Sequence, residues 1–156
     1  MFSRLRSLRS LRRDTRGVSV VEFAFIGPTI VLLILGVVDG ARAVSEKLTL
    51  DQVVYRALEK AQVGSTQSDY DSFLKAEVVN AGFPSTAATV STWLQCDNKA
   101  AVAIDQTCAT GEQTTRYVQL TVTDTFQPSF AYGKMFLGAD STGNINLSST
   151  ASLRLQ

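Results

Sequence analysis

The residues best placed to do chemistry lie together near the N-terminus. Arg16-Gly17 is followed by Val18-Ser19-Val20-Val21-Glu22-Phe23, and the chain then runs apolar to Val38. Glu22 is the only carboxylate of that run. An unpaired carboxylate at the centre of a bilayer costs about 2.5–3.5 kcal/mol, so its presence calls for a reason. Three readings fit. In the first, the run is a plain anchor and Glu22 is an interfacial acid tolerated near the helix end. In the second, the run is a cleavable secretory signal with Ala41-Arg42-Ala43 as its A-x-A site, although the run exceeds the usual signal core of about 7–15 residues. In the third, the chain is cut after Gly17 and Val18 acquires a new amine. A neighbouring subunit's amine then offsets the cost of Glu22, which becomes a register device for helix assembly.

Other chemistry is poorly provided for. Histidine is absent, which removes Ser-His-Asp and Cys-His nucleophile systems and argues against a zinc site. Asp97, Asp105 and Glu112 form an acidic cluster whose spacing matches no calcium-loop signature, so a solvated acidic loop is expected. The Ser- and Thr-rich stretches after Gly111 supply hydroxyls without a base to activate them. Trp93 and Tyr117 read as core or strand-face aromatics, and no phosphate-cradling glycine loop is evident. The expectation is a protein that is not an enzyme, with no cofactor and no metal.

The apolar run sets the organisation. Val18 to Val38 is 21 residues, about 31 Å as a helix at about 1.5 Å per residue, which matches a hydrocarbon core of about 30 Å. Six of the fifteen basic residues, Arg4, Arg6, Arg9, Arg12, Arg13 and Arg16, precede it against the lone acid Asp14, leaving nine basic and thirteen acidic residues beyond Gly17. Arginines on one flank orient such a segment with its N-terminus in the cytoplasm. That reading outweighs nucleic-acid binding by the arginines, and also a transit peptide, because an uncharged span follows directly. Phe2, Leu5, Leu8 and Leu11 give the leader an apolar edge suited to an anionic membrane face. The translocated part holds the chain's two cysteines, Cys96 and Cys108, in an oxidising compartment. A disulfide is expected, worth about 3 kcal/mol on the chain-entropy model, against the alternative of two free buried thiols.

Periodicity supplies the rest. Pro28 predicts a bend in the spanning helix. Past Asp39, Val44, Leu48, Val54, Leu58 and Ala61 keep an apolar stripe at helical spacing, so one helix from about Val18 to Gln62, about 68 Å long, is predicted to end near Gly64. Ser68 with Asp71 predicts the start of a second helix carrying Tyr70, Phe73, Leu74, Glu77, Val78 and Ala81 on one face. Thr89–Cys96, Arg116–Phe126 and a last segment through Ile145, Leu147, Ser149, Ala151 and Leu153 carry strand signals, the last two with clear period-two alternation. The expected fold class is α+β: a long N-terminal helix laid on about three antiparallel strands, with a Gly/Pro-containing crossover from Gln127 to Gly143. The domains are a basic cytoplasmic leader (1–17), a transmembrane helix (18–38), an amphipathic extension (39–64) and a periplasmic α+β domain (65–156).

Arg16-Gly17, four residues, Glu22-Phe23-Ala24, the intramembrane Pro28 and the acid-Gly-x-Arg exit at Asp39 to Arg42 together resemble the TadE-like family, minor pseudopilins of the Tad (Flp-type, type IVc) pilus. The close resemblance covers about residues 16 to 64. Beyond it the Val118-x-Leu120-x-Val122 strand, Phe126 with Pro128, and the closing Ser/Ala/Leu/Arg strand resemble the family more loosely. An aromatic more often precedes the arginine where this chain has Ala41, a departure that bears only on the helix surface beyond the membrane. The resemblance implies a pilin-like fold and a prepilin cut between Gly17 and Val18 by a membrane aspartyl peptidase, with Glu22 and Phe23 used in recognition or assembly. It implies other pilin and pseudopilin subunits, the prepilin peptidase, the pilus assembly platform and membrane lipid as partners, without nucleic acid. The implied setting is a bacterial inner membrane, with a role in pilus assembly and surface adhesion. The alternatives are an uncleaved single-pass extracytoplasmic binding or sensor domain, and a protein secreted after release at Ala43.

Overall fold

The computed structural model describes residues 16–63, 69–97, 99–129 and 139–155, with side chains in the first helix from Val20 onward. The basic leader, with Arg4, Arg6, Arg9, Arg12 and Arg13, and the proposed helix start at Ser68 lie outside these residues. The chain divides into two compact units, Met1–Ala41 and Arg42–Gln156.

Helix α1 spans Arg16–Val63 and is helical on both sides of Pro28. Its two parts obey different rules. From Val20 to Val38 the large apolar side chains are exposed around the whole circumference, Val20 at 69% and Phe25 at 79% among them. A helix apolar all round is at home in lipid or in a deep core. From Leu50 onward only one face is apolar and buried: Leu50, Val53, Val54, Ala57, Leu58 and Ala61, the i, i+3, i+4, i+7 spacing of a helix resting on a core.

The sequence-based stripe is corrected here. Val54, Leu58 and Ala61 are buried, but Val44 and Leu48 are 60% and 55% exposed. At 3.6 residues per turn they sit, with Tyr55, roughly a third of a turn from the Leu50–Val54 face. The extension thus has two apolar stripes, and only one meets the sheet.

Helix α2 spans Tyr70–Asn80. Its N-cap is Asp69 rather than the predicted Ser68: the Asp69 carboxylate accepts from the N–H groups of Asp71 and Ser72 at 3.1 and 3.2 Å, satisfying two orphan donors of the first turn. At the other end Gly82 takes φ +97, and the N–H groups of Gly82 and Phe83 return to the carbonyls of Val79 and Val78. Glycine reaches this left-handed conformation without a Cβ penalty. Leu74 and Val78 are buried, and Lys60 of α1 forms an ion pair with Glu77 of α2.

A short 3₁₀ turn at Ser85–Ala87 leads into a four-stranded antiparallel sheet: β1 Ala88–Cys96, β2 Val102–Ala103, β3 Thr114–Phe126 and β4 Ile145–Arg154, in the order β2-β1-β3-β4. Three of these strands were expected; β2 was not. The period of two sends Val118, Leu120 and Val122 inward, all fully buried, where they join Leu50, Val54, Leu58, Leu74 and Val78 in one core. Because β3 and β4 are adjacent and antiparallel, the link between them is a long hairpin loop, not the expected crossover. Its described end is tightened by Asp140, which accepts from the N–H groups of Thr142 and Asn144 at 2.8 and 3.0 Å.

Cys96 and Cys108 are disulfide-bonded, with Cα atoms 5.6 Å apart. The loop they close carries β2. Asp97, at φ +49, donates its N–H to the Gln113 carbonyl at 3.0 Å and accepts the Gln113 N–H at 2.8 Å. Replacing both cysteines by serine is expected to lower the unfolding free energy by about 3 kcal/mol while leaving the β1–β3 ladder intact. Urea denaturation of the full chain in detergent, followed through the emission of its single tryptophan, measures the loss.

Candidate functional site

Two stretches of α1 hold the candidate functional residues. The first is the helix start. Gly17 and Val18 lie in its first turn, and the side chains of Arg16 to Ser19 are outside those described. Glu22 is exposed among apolar neighbours, and no described residue pairs with it. Phe23, 73% exposed, lies along its own helix with ring atoms 3.7 Å from where a Cβ on Gly27 would stand. Aromatic and small residues four apart meet on one face. None of the most apolar stretch of this helix is buried, so its circumference, carboxylate included, is open to lipid or to other helices.

The second is where the helix enters the C-terminal unit. The Arg42 guanidinium stands 5.7 Å from the centroid of the Phe126 ring and donates to the Ser129 hydroxyl at 2.6 Å. One turn on, Glu46 meets Asp124 of β3. Burial, then a hydrogen bond to Asp124, then that residue's negative charge push the Glu46 carboxyl above its ordinary value, while Arg42 pulls it back. Two carboxyl groups in contact cannot both ionise cheaply. Another turn along, Asp51 is held below its usual value by hydrogen bonds from Lys47, at 2.5 Å, and from Ser149 of β4. Arg42, Glu46 and Asp51 therefore read out successive levels of the sheet from one helix edge.

Sequence reasoning singled out Arg42 but missed Glu46 with Asp124 and Asp51 with Ser149. No local signal joins residues so far apart in the chain. The acidic loop cluster is engaged internally: Glu112 pairs with Lys99 and accepts the Ala109 N–H at 3.1 Å. Among the described residues, the one grouping of possible metal ligands is Cys96, Cys108 and Glu112, and its two sulfurs are bonded to each other. Trp93 and Tyr117 are strand-face aromatics on the side away from the core, directly opposite each other in the β1–β3 ladder.

The fold is α+β, and its long helix has an N-terminal part whose length and composition fit a single-pass membrane anchor. Residues 17–58 match the family model described as TadE-like protein. The stretch matched lies within the Arg16 to Gly64 resemblance and covers the apolar part of α1 and most of its extension. The match ends before α2 and the sheet. No curated protein and no solved structure matches the chain.

The Glu46–Asp124 contact has a definite pH signature. A carboxyl whose folded value is raised above 4.5 contributes stability that is fully present below its unfolded value and lost as pH rises through the folded one. Asp51, Asp69 and Asp140, all lowered, act in the opposite sense, so the variant difference is the informative quantity. Glu46→Gln is expected to gain stability over the wild type as pH rises from about 4 to 7. Thermal midpoints of the two proteins across that range check it.

Proposed function

We propose that this chain is the precursor of a minor pilin, or pseudopilin, that takes part in Tad-type pilus assembly and surface adhesion. The observation that carries the reading is where the family match begins. It starts at Gly17, leaving the arginine-rich segment outside, and it includes Glu22. Basic residues before the helix, a glycine at its start and a carboxylate within its first turns are the parts that a leader-processing and helix-assembly scheme requires.

In this scheme the leader stays in the cytoplasm, the apolar helix crosses the inner membrane, and residues 65–156 lie in the periplasm. A prepilin peptidase cuts between Gly17 and Val18. The new amine on Val18 of one subunit then pairs with Glu22 of a neighbour, which offsets the cost of placing that carboxylate in hydrocarbon. Phe23 and the exposed apolar side chains around it supply packing surface for other pilin and pseudopilin subunits at the assembly platform. The secretory A-x-A site of the alternative reading, Ala41-Arg42-Ala43, lies inside a continuous helix, a poor substrate form for a peptidase that needs extended backbone.

Sequencing the mature N-terminus tests the scheme. Val18 is the expected first residue; a chain beginning at Met1 or Val44 sinks the processing claim. Glu22→Ala is expected to leave cleavage in place and abolish incorporation into pili, scored by sheared-pilus immunoblot. A chain that is absent from sheared pili and whose function survives Glu22→Ala favours an uncleaved anchored binding or sensor domain.

A further inference from the structure

We draw no further inference here: the strongest candidate, the exposed apolar stripe of Val44, Leu48 and Tyr55 on the side of α1 that does not meet the sheet, carries nothing because nothing in the structure shows what covers it.

Discussion

The C-terminal unit depends on one contact: the Leu50-to-Ala61 face of α1 lying on the inward residues of β3. Leu50, Val54, Ala61, Val118, Leu120 and Val122 are all fully buried there, and α2 adds Leu74 and Val78 to the same core. A sheet of this size cannot bury its own apolar face; something must cover it. Here the cover is the C-terminal part of α1, the same helix whose N-terminal part is apolar all round. The stretch that the family model matches therefore reaches into the core.

That dual use explains where the charged residues of the helix fall. Arg42, Glu46 and Asp51 line an edge of the packed face, where each meets a residue of the sheet or of the loop after it. Burying carboxyl groups at such an edge is costly unless they are paired or protonated. Asp51 is paired with Lys47, whereas Glu46 is pressed against another carboxyl. The side chains at this entrance tie the helix edge to β3, to β4 and to the loop after β3.

The sheet's two faces divide the labour. The inner one packs against the helices, and the outer one is held by contacts between strands. Hydroxyl-to-hydroxyl contact across strands, as between Thr121 and Thr150 at 2.9 Å, knits that outer surface without apolar packing. Trp93 and Tyr117 add a stacked cross-strand pair to it, with Arg154 opposite Tyr117 on β4.

Local patterns were enough to reveal much of this. The length and polarity of Val18 to Val38 defined a span, period-two alternation located β3 and β4, and two cysteines could form only one bridge within the chain. The constellation around Gly17 and Glu22 was legible for the same reason: its parts are neighbours in sequence. Other features needed partners from distant sequence. Two apolar stripes run along the extension, and only the sheet decided that Leu50 and Val54, not Val44 and Leu48, would be buried. Asp69 caps α2 because its carboxylate reaches the first-turn N–H groups. The encounter of Glu46 with Asp124, and the single row that Trp93, Tyr117 and Arg154 share, arise only from strand register, which no local propensity encodes.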